Sequence, residues 1–274
     1  MTGDATTIAP APVGTVDRAG AAGADPLIDV RDLTKVYGEG ATAIRALRGV
    51  SLVVRRGEFV AIMGPSGSGK STFMHLLGCL DRPTSGSYRL AGREVSRLSR
   101  DELALVRNRQ IGFVFQSFNL LARTTAQENV ELPLLYAGVP RDTRVARARE
   151  LLQQVGLGDR LGHRPSELSG GQQQRVAIAR GLANGAPLLM ADEPTGNLDS
   201  ASSAEIMTLF QHLNRVQGIT VVLVTHDMDI AAWSERVATF KDGLIVDDRP
   251  SAEAVPSAVR EAATRGALTP EVRA

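Results

Sequence analysis

The chain has 274 residues, enough for one large domain or two small ones, and 43% of them are hydrophobic while 22% are charged. Its formal net charge of +1 gives no overall indication of nucleic-acid binding, and its one cysteine, Cys79, excludes an internal disulfide framework and is typical of a reducing compartment. Because no apolar run reaches the ~18–20 residues of a membrane-spanning helix and no signal-peptide pattern opens the chain, we expect a soluble domain that meets a membrane only through a partner.

The two ends of the chain differ in composition from its middle. Residues 1–25 are rich in Ala, Gly, Thr and Pro and poor in large apolar side chains, which predicts a disordered tail. Residues 250–274 carry little periodic pattern and predict a loose C-terminal tail. A folded domain is therefore expected over residues 26–249.

Within that domain, short apolar runs alternate with helical patterns. Alternating apolar and polar residues between 44 and 54 predict half-buried strands, and the region 124–183 has a mostly helical pattern. Four apolar runs predict buried strands, at residues 59–63, 111–115, 187–191 and 220–225. Buried strands separated by helices predict an α/β fold with a mainly parallel sheet covered on both faces.

The first of these strands runs into a complete phosphate-binding motif, G-x-x-x-x-G-K-[ST], and a helical pattern follows it. Glycines let the backbone N–H groups point at phosphate oxygens, and the helix N-terminus favours an anion. We expect Lys70 to reach the β- and γ-phosphates, Ser71 to bind Mg²⁺, and Thr72 to support the loop or contact the α-phosphate. The motif consists of Gly64, Pro65, Ser66, Gly67, Ser68, Gly69, Lys70, Ser71 and Thr72.

Polar residues follow the other three buried strands: Gln116, the pair Asp192 and Glu193, and His226. Ligands of open α/β sheets bind beyond the carboxyl ends of the strands, so these residues are expected beside the phosphate loop. Asp192 fits the Mg²⁺-binding acid of P-loop ATPases, and Glu193 is placed to orient and polarise the attacking water. His226 would contact the γ-phosphate region. The alternatives are an acidic loop at a strand end and a structural histidine.

A second glycine-containing helix start lies further along the chain. Ser169, Gly170, Gly171 and Gln172 open a predicted helix and form a second anion site. Since one nucleotide has one set of phosphates, two such sites favour a nucleotide that is shared with another copy of the chain.

These motifs resemble the ATP-binding subunits of ATP-binding-cassette (ABC) transporters over roughly residues 27–248. The run Leu168-Ser169-Gly170-Gly171-Gln172 matches the signature motif of that family. The resemblance implies a P-loop ATPase core, a small antiparallel β-subdomain, and a helical subdomain at about residues 121–184 that carries the signature. It also implies ATP and Mg²⁺ as cofactors, and a head-to-tail dimer in which the signature of one copy faces ATP on the other.

The resemblance further implies roles for single residues. Tyr37 would stack on adenine, although an edge-strand aromatic without that role is the alternative. Gln116 would touch Mg²⁺, assist catalysis and couple the site to the transmembrane partner. Asp199 would belong to a loop that reaches across the dimer.

A narrower resemblance is to the macrolide-export and lipoprotein-release branch (MacB and LolD types), with the FtsE type as a neighbour. It rests on residues 78–86, 115–121, 128–134 and 192–199. It implies coupling to separate integral membrane permease subunits and a place at the cytoplasmic face of the membrane, because no fused membrane helices are seen.

Two other hypotheses remain open at this point. A cassette ATPase of DNA repair, chromosome structure or translation would show a coiled-coil insertion or tandem cassettes, whereas the stretch from Gln116 to Leu168 is short and there is one P-loop. A non-hydrolysing scaffold subunit would have a damaged Glu193, His226 or signature, and all are present. We therefore expect no nucleic-acid partner.

Overall fold

The computed structural model describes residues 25–267, in which two β-sheets are flanked by helices. The strands are β1 (Pro26–Tyr37), β2 (Ile44–Arg55), β3 (Phe59–Met63), β4 (Ser85–Leu90), β5 (Arg93–Glu94), β6 (Ile111–Phe115), β7 (Leu188–Asp192), β8 (Thr220–Val224), β9 (Arg236–Lys241) and β10 (Leu244–Pro250). The helices are α1 (Lys70–Leu77), α2 (Arg100–Gln110), α3 (Ala126–Tyr136), α4 (Arg141–Gln154), α5 (Gly170–Leu182), α6 (Ser200–Gln217), α7 (Met228–Ala231), α8 (Ser251–Ala254) and α9 (Ser257–Ala267). No helix of this described part is long and apolar enough to cross a bilayer. The tail predicted for residues 1–25 lies outside it, apart from Asp25.

The larger sheet has six strands in the order β10-β9-β3-β8-β7-β6, and every pair except β10 with β9 is parallel. Successive side chains of a strand point to opposite faces, so β3 serves two cores. Phe59 and Ala61 pack into one core, while Val60 and Ile62 pack into the other. A sheet that is buried on both faces explains why the sequence of β3 is continuously apolar. The prediction of a mainly parallel sheet is confirmed.

The smaller sheet is antiparallel, in the order β2-β1-β4-β5. Alternate residues of β2, such as Val50, Leu52 and Val54, are buried while their neighbours are exposed. These side chains share a core with Phe73 and Leu77 of α1. The antiparallel β-subdomain that the resemblance implied is therefore present, and it covers the helix that follows the P-loop.

Helices α3, α4 and α5 pack against one another, and α5 also packs on β6, the edge strand of the large sheet. The contact between α5 and β6 is a contact of main chains: a Cβ on Gly112 would lie 2.3 Å from the carbonyl oxygen of Gly181. No other residue type fits such an approach. The C-terminal half of α5 is therefore held firmly against the strand that ends next to Gln116.

The prediction of a loose tail from residue 250 onward is wrong for residues 251–267. Helices α8 and α9 occupy this segment, and α9 lies against α6 and α7. Val255 is 3% exposed, and Val259 and Ala263 are half-buried against the same core. Val255 lies in the extended link between α8 and α9, and Val259 and Ala263, four apart on α9, stand among many alanines and charges, so the apolar pattern is too weak to predict a helix from sequence. Residues 268–274 lie outside the described part.

The packing of the C-terminal helices can be tested by shortening Val255 to alanine. Because this side chain is buried in the core, Val255→Ala is expected to lower the free energy of unfolding by about 2 kcal/mol in urea denaturation. Val246→Ala is the matched control, since Val246 is 56% exposed, and its expected effect is within about 0.5 kcal/mol. Equal midpoints for the two variants would contradict the packed arrangement.

Candidate functional site

The phosphate loop runs from the end of β3 to the start of α1, and its conformation depends on glycine. Gly64 has a φ of +148° and Gly69 a φ of +104°, both unfavourable for other residues. A Cβ on Gly64 would lie 2.3 Å from the carbonyl oxygen of Phe240, and one on Gly69 would lie 2.7 Å from that of Ala46. The loop is thus pressed between strands of both sheets, and this packing fixes its shape.

Three features of this loop suit an anion. Gly69 caps α1 without any side-chain hydrogen bond, so the first N–H groups of the helix are open. The Ser68 hydroxyl is buried and has no hydrogen-bond partner among the described residues. Lys70 is 8% exposed, and its Nζ donates to the carbonyl oxygens of Gly64 and Pro65 at 2.7 and 2.9 Å. Burial lowers the pKa of Lys70, and a phosphate beside it would favour the charged form again.

Asp192 ends β7 next to Glu193, with Lys70 and His75 close enough to act on its charge. The pKa of Asp192 is raised, first by burial and then by the Glu193 carboxylate, while His75 and Lys70 offset part of this effect. No group of three His, Cys, Asp or Glu within residues 25–267 is arranged to hold a metal. A Mg²⁺ ion commonly takes one or two carboxylates together with phosphate and water oxygens, so a donor set of the Asp192 carboxylate, the Ser71 hydroxyl and the Gln116 amide oxygen fits it.

Glu193 is held at the end of β8 by its neighbours. Its φ is +45°, a left-handed conformation for a non-glycine residue, and its N–H donates to the carbonyl oxygen of Val224 at 2.9 Å. Its carboxylate accepts from the Thr225 hydroxyl at 3.3 Å, from the backbone N–H of His226 at 3.1 Å and from the Nδ1 of His226 at 2.7 Å. The hydrogen bond to Glu193, followed by its charge, raises the pKa of His226. The structure therefore pairs His226 with Glu193, at the edge of the sheet where the P-loop also begins.

Gln116 lies against the segment that follows Glu193. The Nδ2 of Asn197 donates to the carbonyl oxygen of Gln116 at 3.0 Å, and a Cβ on Gly196 would lie 2.6 Å from the Nε2 of Gln116. Asp199 then starts α6 by accepting from the N–H and the hydroxyl of Ser202 at 2.8 and 3.0 Å. These hydrogen bonds lower the pKa of Asp199, so its carboxylate is ionised at the helix start.

Tyr37 ends β1 and is brought near the P-loop by strand pairing. It pairs with Ile44 of β2, two residues before Ala46, whose carbonyl oxygen lies against Gly69. The Tyr37 hydroxyl donates to Asp81 at 3.1 Å, and the Nζ of Lys35 lies 4.9 Å from the ring centre and 2.7 Å from the Asp81 carboxylate. The Tyr37 residue stays 41% exposed. A clamped, partly exposed ring of this kind suits stacking on a planar base.

The signature residues open α5 at an exposed position. Ser169 and Gln172 form a capping box: the Ser169 hydroxyl accepts from the N–H of Gln172 at 3.3 Å, and the Gln172 side chain accepts from the N–H of Ser169 at 2.9 Å. Positions for a Cβ on Gly170 and Gly171 lie 3.1 Å from Leu198 and 3.3 Å from Ser202. The signature thus lies beside the Asp199 segment, whereas α1 packs on β2, β7 and β8.

Sequence reasoning missed several residues that shape this site. Thr225 holds the Glu193 carboxylate, and Asp81 holds Tyr37. Asn129 is fully buried, and its Oδ1 accepts from the N–H of Leu121 at 2.8 Å, which fastens the segment after Gln116. Gln174 and Arg180 of α5 bond to the main chain on either side of Gln116. Asn129 and Leu121 are eight residues apart, whereas the other contacts join residues more than 30 positions apart. No local sequence pattern predicts contacts of that second kind.

Comparison with known proteins identifies the family. The family model described as ABC transporter matches residues 47–196, more than half of the chain. The chain belongs to the ABC transporter family. It is 57% identical over 223 residues to the macrolide export ATP-binding/permease protein MacB of Marinobacter nauticus, covering 81% of this chain and 34% of that protein. It therefore spans about a third of the length of the macrolide-export relatives that it matches.

Other members of the family match over nearly their whole length. An uncharacterized ABC transporter ATP-binding protein of Thermotoga maritima is 57% identical over 219 residues, covering 80% of this chain and 93% of that one. The ATP-binding cassette MJ0796, solved as a dimer in a post-hydrolysis state with ADP and Pi, aligns with a TM-score of 0.75 and 46% identity over 82% of this chain and 98% of that chain. CbiO1 of Clostridium perfringens, part of the ABC transporter complex CbiONQ, aligns with a TM-score of 0.76 and 30% identity over 84% of this chain and 90% of that one.

The predicted family and the predicted ATPase fold of ABC domains are thereby confirmed. The relatives named here are transport proteins, which gives no support to the alternative in DNA repair or translation. The roles of individual residues stay predictions.

The pair of Glu193 and His226 gives a testable pH dependence. Because Glu193 raises the pKa of His226 above its ordinary value, Glu193→Gln is expected to lower that pKa. In the unsubstituted chain the imidazolium contact stabilises the fold at low pH and is lost as the pH rises through the raised pKa. NMR titration of the His226 ring between about pH 5 and pH 9 measures the change.

The control for this titration is Glu205→Gln, which removes a carboxylate that pairs with Arg175 instead. It should leave the His226 titration where it was. An unchanged His226 titration in Glu193→Gln would mean that the two side chains do not pair in solution.

Proposed function

We propose that this chain binds and hydrolyses ATP, and that two copies closing around ATP drive a membrane permease. The observation that carries the proposal is the convergence of the P-loop, Asp192, Glu193 and Gln116 at one edge of the large sheet, beyond the carboxyl ends of adjacent parallel strands. This is where open α/β sheets bind ligands. The match to ATP-binding cassettes over most of the chain supports it.

Each residue of the edge has a part in the proposed reaction. The open N–H groups of the P-loop and Lys70 would bind the phosphates, and Ser71, Gln116 and Asp192 would hold Mg²⁺. Mg²⁺, when bound, neutralises phosphate charge. Glu193 would orient the attacking water and accept its proton, because its hydrogen bonds fix the carboxylate in position at this edge. Catalysis of this kind is positioning and charge stabilisation.

A second copy of the chain would complete the site. The signature residues Ser169, Gly170, Gly171 and Gln172 open α5 at an exposed position, away from the elements against which α1 packs. We propose that they bind the γ-phosphate region of ATP held by the partner copy, with Asp199 reaching across the same interface. The dimeric state of the related cassette MJ0796 supports this arrangement.

A groove of about 800 Å³ beside Gln116 is the proposed docking place for the permease. It runs along the free edge of β6, and Leu80, Leu105 and Tyr136 line it while remaining 48%, 56% and 78% exposed. Exposed large apolar side chains grouped along a sheet edge are typical of a partner-binding site. We propose that it receives an apolar cytoplasmic segment of an integral membrane permease, which would place the chain at the cytoplasmic face.

The narrower assignment is to export. The relatives named macrolide export and pyoverdine export proteins contain this chain's counterpart as about a third of their length. We propose that this chain is the ATP-binding part of an export or mechanotransmission system of that branch. Its cargo would be set by the permease.

Glu193→Gln separates ATP binding from hydrolysis. It removes the carboxylate that accepts the proton of water but keeps the side chain's shape, so we expect ATP turnover to fall about a hundredfold or more. ATP should then hold the two copies together, which size-exclusion chromatography with light scattering measures as a stable dimer. Lys70→Ala, which removes the phosphate contact, should give neither turnover nor dimer. ATP turnover by Glu193→Gln at the rate of the unsubstituted chain would contradict the role of Glu193 as the base for the attacking water.

The docking groove is tested with Leu105→Asp, because Leu105 is exposed and contributes little to the core. We expect this charge to abolish co-purification of a permease from gently solubilised membranes while the unfolding temperature stays the same. Leu244→Asp is the matched control, since Leu244 is 39% exposed on β10, outside the groove, and it should retain the permease. Equal recovery of the permease with both variants would remove the groove from the proposal.

A further inference from the structure

Gln174 of α5 is a fully buried amide that bonds to two catalytic loops. Its Nε2 donates to the carbonyl oxygen of Pro194 at 2.6 Å and to that of Phe115 at 3.4 Å. Both acceptors are carbonyl oxygens, so the amide orientation is determined by the contacts themselves. The first hydrogen bond is short and the second is at the limit of length, which makes Pro194 the principal partner.

The two carbonyl groups stand next to the residues assigned to catalysis. Phe115 directly precedes Gln116, and Pro194 directly follows Glu193. Five residues before Gln174, the same helix starts with Ser169 of the signature. One side chain thus joins the signature helix to the main chain at both Gln116 and Glu193.

Arg180 supports the same loop from the next turns of α5. Its guanidinium donates to the carbonyl oxygens of Phe118, at 2.8 Å, and of Asn119. Phe118 and Asn119 have φ values of +59° and +50°, an unfavourable conformation for two successive non-glycine residues. The loop after Gln116 therefore depends on a side chain of α5 for its shape, just as the strand before it contacts Gln174.

The oxygen atom of the Gln174 amide, Oε1, is in a different situation from its nitrogen atom. Its Oε1 is buried and has no hydrogen-bond partner among the described residues. A buried acceptor without a donor is unfavourable, and an apolar side chain of similar length would avoid that cost. The unpaired Oε1 therefore offsets part of the stabilisation from the two donated hydrogen bonds, and the contacts with the two loops remain the distinctive feature of Gln174.

We propose that Gln174 is a positioning residue for ATP hydrolysis. It transmits the contact between the signature at the start of α5 and ATP on the partner copy to Gln116 and Glu193 of its own copy. The C-terminal half of α5 is fixed on β6 where Gly181 meets Gly112, so a displacement of its first turns acts on the loops through Gln174. This inference rests on the proposed ATPase function.

The test compares Gln174→Met with the matched control Gln173→Met in the 274-residue chain. Met has the length of Gln without its donor, and within residues 25–267 the Gln173 side chain donates to the carbonyl oxygen of Leu168, at 3.1 Å, and to neither loop. We expect Gln174→Met, assayed at a temperature where the variant remains folded, to lower kcat about tenfold with ATP affinity unchanged, and to reduce the cooperativity of turnover with ATP concentration. Gln173→Met should change kcat less than about twofold.

A double-mutant cycle with Ser169→Ala distinguishes positioning from a structural role. If Gln174 transmits the signature contact, replacing Gln174 in a chain that already carries Ser169→Ala should lower kcat only about twofold. Gln174→Asn, whose amide is too short to reach both carbonyl groups, repeats the test should Gln174→Met fail to fold. The inference would be overturned if the two substitutions lowered kcat independently, so that their fold-changes multiply. It would also be overturned if kcat were unchanged in Gln174→Met, or if the loss of activity equalled the fraction of unfolded protein. An unsubstituted protein without ATP turnover would instead overturn the proposed function itself.

Discussion

The structure depends on the close packing of three backbone segments of the chain: the P-loop, β2 and the hairpin of β9 and β10. Glycines at the contact points let these segments approach one another closely. The P-loop at Gly64 and Gly69 lies against the backbone of β9 and β2, and Gly243 of the following turn lies against β2 as well. Hydrogen bonds from Gly243 to Ser68 and from Arg48 to Gly243, both 2.9 Å long, close the arrangement. Because a single methyl group would push these segments apart, the two sheets, the P-loop and the last hairpin fit together only with glycine at these positions.

From this place the polar chemistry extends along one edge of the parallel sheet. Asp192 and Glu193, Gln116 and His226 each follow a strand, and the order of the strands brings them side by side. Glu193 is held by donors from the end of β8, while Gln116 is held by the segment after Glu193 and by α5. The site is therefore a set of loop residues whose positions are determined by neighbours, which accords with catalysis by positioning.

Much of this arrangement was predictable because it follows from local patterns. A continuously apolar strand indicates burial on both faces, and the P-loop and signature are runs of adjacent residues. The C-terminal helices were missed because the apolar residues that pack there, Val255, Val259 and Ala263, form too short and too weak a pattern. Gln174 and Arg180 were missed for a different reason: their partners are carbonyl groups 20 to 62 residues away, and any residue provides a carbonyl. The residue type of the partner therefore gives no indication of such a contact in the sequence.

The strand β3 has alternate side chains in two separate cores, and it ends at the P-loop. Burial of the β3 side chains therefore contributes to the stability of both cores. A nucleotide that binds only the folded P-loop therefore raises the free energy of any unfolding event that disorders this strand, whichever of the two cores it begins in. Conversely, local loosening on either face, near Val50 or near Val255, reaches the phosphate site through a single five-residue strand. In this chain, nucleotide binding and the stability of both cores are therefore thermodynamically linked through β3.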